Sequence, residues 1–402
     1  MRLFPRSKHL FVCTLSIALA ACSEREDPLR DFGLVPDIVD STAIRTLVLP
    51  ASDLDTFFQT TRNSGSRLWV GIESEAAELA EAKALLRFEE SVVPPGAEVL
   101  ADTLHLFCDL RGDYGDPALQ TIEVERITSD SWIADESEGW PFDGHEPLNP
   151  PVMFGVAACV DTPTTPVSVI LPAGLVAGWV AVPDSNFGLA LVANGGGGFK
   201  RFLAAGSSAP VLGVRYMTGS AAAAAETARV RLPLTEHGTL TRLSPAVENG
   251  TGGENFALVG GAFDYRGIVR FDLSAVPVNA SVNRLRMTLS LDPGSVFLGE
   301  DSTRVAIGVH EIVDVPAESL QARPRIGFVT AAAATAVVNA AADTSVTIAI
   351  TPLARAVERG ILLKVNRDFP ALIRFGFVTR EGAAALRPRL EVTYSLPAKI
   401  RL

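Results

Sequence analysis

An internal repeat constrains the fold of this chain more than any other feature of its sequence. The segment 85–107 contains LLRFEESVVPPGAEV followed by ADTLHLF, and the segment 268–289 contains IVRFDLSAVPVNASV followed by RLRMTL. Phe88 aligns with Phe271, and the same offset of 183 residues holds through the block without a gap. A second correspondence joins PVLGVRY at 210–216 to PRLEVTY at 388–394. The chain therefore consists of two related halves that begin and end alike.

The repeated segments alternate apolar and polar residues, as in TLHL at 103–106 and LEVTY at 390–394. This period of two is typical of half-buried β-strands. Clusters of Gly, Pro and Asp separate the segments, and many short strands joined by such turns favour a sandwich over a parallel α/β sheet. The sequence predicts an all-β protein of two tandem jelly-roll-like β-sandwich domains after a signal peptide.

Helical candidates are few. They are part of Glu75–Leu86, then Ala331–Ala342, and Pro352–Arg359. These segments are too short and too rare to form the crossover helices of βαβ units.

The first residues have the layout of a secretory signal. Arg2, Arg6 and Lys8 precede an apolar run at 10–21 that ends at Cys22 and is shorter than the roughly 20 residues of a membrane-spanning helix. LAAC at 19–22 resembles the lipobox of bacterial lipoproteins, in which the cysteine is lipidated before cleavage. The alternative is ordinary cleavage after residue 21 that leaves a free cysteine. We expect a lipid anchor on Cys22, because this cysteine ends the lipobox-like sequence. Several acyl chains together would hold the protein on a membrane durably.

Ser23, and not an Asp, follows the cysteine, and this is similar to the pattern that is sorted to the outer membrane in Gram-negative lipoproteins. The expected location is the cell envelope. The expected segments are a signal peptide at 1–21, a tether at 22–40, a first sandwich at 41–218, a linker at 219–226 and a second sandwich at 227–402.

Charge divides unevenly between the halves. Residues 22–226 contain 12 Lys and Arg against 30 Asp and Glu, and residues 227–402 contain 20 against 16. An acidic half repels polyanions, while a mildly basic half favours an anionic polymer or the acidic half itself as partner. Neither half has the dense basic stripe of a nucleic-acid binder, so we expect no nucleic-acid partner.

Two cysteines remain after the signal is removed and Cys22 is lipidated. Cys108 and Cys159 would pair in an oxidising compartment, or they are two separate buried thiols. The sequence leaves both interpretations open.

The repeated pattern resembles the DNRLRE domain family and the related family 96 carbohydrate-binding modules. The resemblance rests on VRFDLS at 269–274, a following Pro, an Ala-x-Val and Leu-x-Leu stretch, and the closing PRLEVTY. Val269 stands where the family pattern has its first Leu. Trp132 and Trp140 are similar to a tryptophan feature of many members, and the second half has PAES at 316–319 in its place. The resemblance implies a β-sandwich that serves as an accessory binding domain on extracellular, polysaccharide-active proteins.

Catalytic motifs are absent from the sequence. It contains no Gly-x-Ser-x-Gly elbow, no His-Glu-x-x-His and no phosphate-binding loop. We therefore expect a protein that is not an enzyme and that needs no cofactor.

A structural calcium ion is one interpretation of the acidic pairs in the first half, since Ca²⁺ takes several oxygen ligands from such loops. The candidates are Asp113, Asp116, Asp135 and Glu136. Solvated loop charge is the alternative interpretation.

Carbohydrate-binding candidates are of two kinds. Trp132 and Trp140 are flanked by acids and offer rings for the apolar face of a sugar, although core packing is the favoured interpretation of both. The basic residues of one C-terminal stretch match the carboxylates of an anionic polysaccharide, although scattered surface charge is the alternative. These residues are Lys364, Arg367, Arg374 and Arg380.

The sequence thus predicts a non-catalytic, lipid-anchored envelope protein that binds polysaccharide through its two sandwiches, with avidity if both engage one polymer. The alternative is a structural or protein-docking lipoprotein without glycan binding, in which the charge asymmetry serves an envelope protein partner.

Overall fold

The protein is all-β, and its strands form antiparallel sheets that build two β-sandwiches. The computed structural model describes residues 37–38, 44–59, 66–75, 78–109, 113–117, 120–129, 142–159, 165–218, 226–244, 255–261, 265–298, 304–314, 326–339, 342–365, 373–397 and 400–401. The predicted signal peptide, Cys22 and most of the predicted tether lie outside these residues. In the described part of the chain, no helix combines the length and apolar character needed to cross a membrane.

The first sandwich consists of a large and a small sheet. Its strands are β3 (Arg67–Glu75), β4 (Glu78–Phe88), β5 (Glu98–Leu106), β6 (Tyr114–Gly115), β7 (Thr121–Ile127), β8 (His145–Gly155), β9 (Val167–Leu171), β10 (Leu189–Asn194), β11 (Gly198–Leu203), β12 (Val211–Thr218), β13 (Glu226–Leu232) and β14 (Leu234–Ser244). The large sheet has the order β6-β11-β3-β4-β10-β7-β8, with β14 also on β4, and the small sheet has the order β13-β12-β5-β9. Their facing side chains, such as Leu86, Leu104 and Leu212, are fully buried. Burial of one such side chain stabilises the fold by about 1.5–3 kcal/mol.

The described strands of the second sandwich are linked by hydrogen bonds into one 11-stranded sheet. Its strands are β2 (Ile44–Gln59), β15 (Phe256–Gly260), β16 (Tyr265–Phe271), β17 (Ser281–Leu298), β18 (Arg304–Asp314), β19 (Gly327–Phe328), β20 (Ala334–Asn339), β21 (Ser345–Ala349), β22 (Ile361–Val365), β23 (Ile373–Val378) and β24 (Arg389–Ser395). They follow the order β15-β23-β17-β24-β2-β16-β22-β18-β19, with β20 on β18 and β21 on β17. Separately, β1 (Asp37–Ile38) pairs with β25 (Ile400–Arg401).

The sequence repeat is also a repeat of strand pairing. β4 pairs with β10 as β16 pairs with β22, and β5 pairs with β12 as β17 pairs with β24. The registers agree, since Leu85 lies opposite Ala190 and Ile268 lies opposite Leu362. Leu104 lies opposite Leu212 in the same way as Met287 lies opposite Leu390. Positions of the two sandwiches can therefore be compared one by one.

The strand pairing crosses the boundary expected at 219–226 in both directions. β14 follows that segment but pairs with β4 over Leu79–Phe88, so it belongs to the first sandwich. β2 precedes the first sandwich but pairs with β24 and β16 of the second. The first sandwich is thus continuous over 67–244, and the second combines 44–59 with 256–395.

Two of the predicted helices are wrong. Residues 78–88 form β4, because Ala80, Ala82 and Ala84 are almost completely buried in the centre of a sheet and tertiary packing overrides their helix propensity. The candidate Ala331–Ala342 contains β20, whose alternating burial is that of a strand. The third candidate forms a 3₁₀ turn at Thr351–Leu353 and then further turns.

Helical turns elsewhere are short. The helix α1 spans Gly174–Ala181, which the sequence did not single out, and buries Val176 and Trp179. It occupies the connection from β9 to β10, where the second sandwich has the 3₁₀ turn Thr351–Leu353 between β21 and β22. Other 3₁₀ turns lie at Glu90–Val92, Val156–Ala158, Pro183–Ser185 and Gly206–Ser208.

Candidate functional site: a basic sheet face

The small sheet of the first sandwich carries its polar side chains on the surface that faces away from the core. Along β5, Leu104 and Leu106 are buried while Thr103 and His105 are partly exposed. The neighbouring β12 and β13 follow the same period of two, with Leu212 buried against the core. The outward side chains include four basic groups that we call the basic face. They are His105, Arg215, Arg229 and Arg231.

The strand register brings these groups together. Arg215 lies opposite Arg229 across the β12–β13 pair, and Gly213 lies opposite Arg231. On the other side of β12, Gly213 lies opposite Thr103 of β5. Neighbouring strands are about 4.8 Å apart, and residues two apart on one strand are separated by about 7 Å. The guanidinium groups therefore project from a surface that is only a few strands wide.

Gly213 makes room for His105. A Cβ atom at position 213 would lie 3.2 Å from Nε2 of His105, which is tighter than ordinary van der Waals contact. The imidazole therefore lies over the backbone of β12, and its Nδ1 is 2.9 Å from Oγ of Ser168 on β9. The His105 side chain thus connects β5 with both of its neighbours in the small sheet.

The electrostatic field on this face is positive. Burial lowers the pKa of His105, and the positive charge of Arg231 lowers it further. His105 is consequently neutral at pH 7 and becomes a cation only in more acidic solution. No ion pair joins Arg215, Arg229 or Arg231 to a carboxylate among the described residues. Their charge is left for solvent or a ligand.

An open cavity of about 560 Å³ lies on the basic face. The described residues that line it include no Asp or Glu. They are Ala101, Thr103, His105, Gly213, Val214, Arg215, Arg229, Val230 and Arg231. Guanidinium groups bind carboxylate, sulfate or phosphate through paired hydrogen bonds, so the cavity has the chemistry of an anion-binding surface.

The second sandwich does not repeat this chemistry. Glu391 stands where the first sandwich has Gly213, and it lies opposite Arg286, which replaces Thr103. Threonines replace the other basic groups except Arg231, whose counterpart is Val48. Thr288 replaces His105, Thr393 replaces Arg215 and Thr46 replaces Arg229. The basic face is thus a property of the first sandwich.

The predicted tryptophan site lies outside the described residues, which include neither Trp132 nor Trp140. The same holds for Arg367 and for the calcium candidates Asp135 and Glu136.

The other predicted basic residues do not form one exposed cluster. Lys364 on β22 is 7% exposed, and its Nζ lies 4.8 Å from the centre of the Phe328 ring. Arg374 on β23 is 4% exposed, and its Nε donates to the carbonyl of Ser295. These two side chains are packed into the sandwich, which argues against direct contact with a polymer.

Arg380 follows β23 in a turn and is also engaged. Its Nε donates to Glu381 over 2.6 Å, and its Nη1 donates to the carbonyl of Ser52 on β2 over 3.2 Å. Arg380 therefore connects the turn after β23 to β2 through hydrogen bonds.

Asp113 is held by a buried lysine. Its Oδ2 accepts a hydrogen bond of 2.6 Å from Nζ of Lys200, which is 1% exposed. Asp116 is exposed, and its backbone NH donates to the carbonyl of Gly197. No group of at least three His, Cys, Asp or Glu side chains arranged for a metal occurs among the described residues. Calcium binding stays a prediction.

Cys108 and Cys159 are joined by a disulfide bond, with their Cα atoms 5.9 Å apart. Cys108 follows β5, and Cys159 follows the 3₁₀ turn after β8, so the bond connects the segments that leave these two strands. Of the two interpretations that the sequence left open, the structure has the paired one.

A second polar cluster lies on the outer surface of the large sheet. Nζ of Lys83 donates to the carbonyl of Phe142 and to Oδ1 of Asp143, and it lies 2.8 Å from Nε2 of His145. His145 in turn contacts Glu125. Burial lowers the pKa of Lys83, and the hydrogen bond from Lys83 lowers the pKa of Asp143. These contacts connect the chain around Phe142 to the sheet.

The basic face was not found from the sequence. Its arginines lie on both sides of the segment 219–226, which was expected to be a linker between domains. The available signal was the spacing of Gly213 with Arg215, and of Arg229 with Arg231, at the period of a strand. That signal has meaning only when β12 and β13 are known to pair.

Comparison with known proteins adds little. No protein-family model matches the chain, and no curated protein matches it. A solved structure of T=1 particles derived from infectious bursal virus is 9% identical over 91% of this chain and 77% of the other, with a TM-score of 0.10. A similarity this weak carries no argument, and the likeness to the DNRLRE family stays a prediction.

Proposed function

We propose that the protein is a non-catalytic, lipid-anchored component of the cell envelope whose basic face binds an anionic polysaccharide. The observation that carries this proposal is the group of three arginines and His105 around the open cavity on the small sheet. These groups belong to rigid strands and have a regular spacing, which suits a polymer with a regular repeat of negative charge.

The chemistry of the face favours uronic-acid or sulfated polymers over neutral ones. Each guanidinium offers a planar fork of donors that matches a carboxylate or sulfate. Thr103 and Ser168 add hydroxyl groups beside His105, which suits the hydroxyl groups of a sugar. Because the arginines are exposed, we expect binding to weaken as salt screens their charge.

The same geometry supports binding without a chemical step. The cavity holds guanidinium groups, hydroxyl groups and one imidazole, while a hydrolase needs an activated nucleophile or a pair of acids at the scissile bond. The role that this surface supports best is retention of a polymer beside the membrane.

The test is retention of the chain from Ser23 onward on neutral, uronic-acid and sulfated polysaccharides at low and moderate salt. We expect retention on the anionic polymers only, and loss of retention in the double variant Arg215→Ala, Arg231→Ala. Arg284→Ala is the matched control, because Arg284 is an exposed arginine on β17, the strand of the second sandwich that corresponds to β5. Absence of binding to every polymer would instead favour the structural or protein-docking alternative.

A further inference from the structure

β2 has an unusual position in the chain. It completes the second sandwich, yet the whole first sandwich separates it in sequence from the rest of that sandwich. The first sandwich, by contrast, contains only consecutive residues of the segment 67–244.

β2 is bonded along both of its edges. Ile44–Pro50 pairs with Ser395–Arg389 of β24, and the later part of β2 pairs with β16 from Ala51 to Gln59. In the sheet order, β2 is the link between β24 and β16. Without it, both strands would expose an unpaired edge, which readily accepts a strand from another chain.

In the first sandwich, the strands that correspond to β2 come later in the chain. β13 pairs with β12, and β14 pairs with β4, as the two parts of β2 pair with β24 and β16. The registers correspond, because Phe88 lies opposite Leu234 and Phe271 lies opposite Ala51. The first sandwich is completed by the chain that follows it, whereas the second is completed by the strand that precedes the first.

We propose that β2 is exchanged between copies of this chain, so that β2 of one molecule completes the second sandwich of a neighbour. The contacts that β2 makes are the same whether it comes from its own chain or from a second copy. Whether β2 pairs with its own chain or with a neighbour then depends on two concentrations. They are the concentration of neighbouring molecules and the effective concentration of β2 near the second sandwich of its own chain. This step rests on the proposed lipid anchor, since molecules confined to a membrane surface meet at high local concentration, which favours the exchange. The contact is head to tail and therefore builds rings or chains of molecules.

Thr46 on β2 and Thr393 on β24 provide a direct test. They lie opposite each other on the outer surface, with their hydroxyl oxygens 3.5 Å apart. Two full-length single variants, Thr46→Cys and Thr393→Cys, carry different affinity tags and are produced together in one cell. Exchange places the two new thiols side by side in different chains. The expected result is a disulfide-linked pair of chains that contains both tags and the 46–393 linkage.

Thr288 and Thr347 provide the matched control, since their hydroxyl oxygens are 3.1 Å apart but both belong to the continuous part of the second sandwich. Thr288→Cys and Thr347→Cys, produced together as single variants, should give no mixed product. The double variant Thr46→Cys, Thr393→Cys within one chain confirms that the pair can close. If the double variant closes but the single variants give no mixed product, β2 does not exchange. Equal mixed products from both pairs would reflect random collision and would also overturn the proposal.

Discussion

Asp102 is a carboxylic acid that is completely buried in the first sandwich. It lies on β5 with no exposed surface, and one of its carboxylate oxygens, Oδ1, has no hydrogen-bond partner among the described residues. Its Oδ2 accepts a hydrogen bond from the backbone NH of Val176 in α1. Burial raises its pKa to about 7, against the smaller opposing effect of that hydrogen bond. The corresponding position of the second sandwich is Leu285, which is apolar and equally buried.

This raised pKa predicts a pH-dependent stability. The folded-state pKa of Asp102 lies above the unfolded value, so below about pH 4 the residue is protonated in both states and does not lower the stability. As pH rises from about 4 to 7, the unfolded chain ionises first and the free energy of unfolding falls. A shift of about three pKa units corresponds to a loss of about 4 kcal/mol. Asp102→Asn keeps the oxygen acceptor and should remove this loss. Urea unfolding at pH 5 and pH 8 measures about 3 kcal/mol of it, because the unfolded chain already begins to ionise Asp102 between pH 4 and 5. An unchanged pH dependence in the variant would contradict the assignment.

His105 predicts a pH dependence of binding. Its lowered pKa makes it neutral at pH 7, so acidification adds a positive charge to the basic face. Affinity for an anionic polysaccharide should therefore rise as pH falls through the pKa of His105. Titration of binding between pH 5 and 7.5 tests this point. His105→Ala should bind with little change over that range, and an equal rise in the variant would assign the effect to another group.

At the scale of single elements, the alternation of apolar and polar residues predicted strands such as β5 and β24 correctly. It failed for β4, where ELAEAKALL has the Ala, Glu and Leu content of a helix. The neighbours β3, β10 and β14 all pair with β4, and those pairings decide its conformation. They involve residues far away in sequence, which local propensity does not reflect. The location of β13 in the first sandwich was missed for the same reason.

Gly198 begins β11 at a close approach of two backbones. Its φ is +148°, and an added Cβ would lie 2.0 Å from the carbonyl oxygen of Tyr114 on β6. Gly198→Ala should therefore separate β6 from β11 and lower the free energy of unfolding by about 3 kcal/mol or more.

Gly96 provides the control for this prediction. Its φ of +78° lies in the left-handed region, which costs an L residue less than the φ of Gly198, and no described atom beyond its chain neighbours lies within 4 Å of an added Cβ. Gly96→Ala should cost only about 1 kcal/mol. Chemical unfolding of both variants gives the comparison, and equal losses would show that the contact with Tyr114 is unimportant.

At the scale of the whole molecule, the repeat predicted two sandwiches, and the structure contains them. The division between them was not predictable from sequence alone, because it depends on which sandwich receives β2, β13 and β14. The charge contrast between the halves gave no indication of the basic face either. Arg229 and Arg231 were counted with the second half, although they complete a surface of the first.

The proposed lipid anchor has its own test. Cells that express the protein and receive labelled palmitate should incorporate the label, and Cys22→Ala should abolish incorporation and release the protein from the membrane fraction. Recovery of a mature chain that begins with an unmodified Cys22 would instead indicate ordinary cleavage after residue 21.

Two fragments of the chain test the proposed binding surface together with the division into sandwiches. They are compared for cooperative unfolding and for retention on the anionic polysaccharide that the full chain binds. The fragment 67–244 contains every strand of the first sandwich and the whole basic face, whereas 41–218 follows the sequence-predicted domain and lacks β13 and β14. We expect that 67–244 unfolds cooperatively and is retained, and that 41–218 does neither. A folded and retained 41–218, or a folded 67–244 that does not bind, would show that the basic face is not the binding surface of the first sandwich.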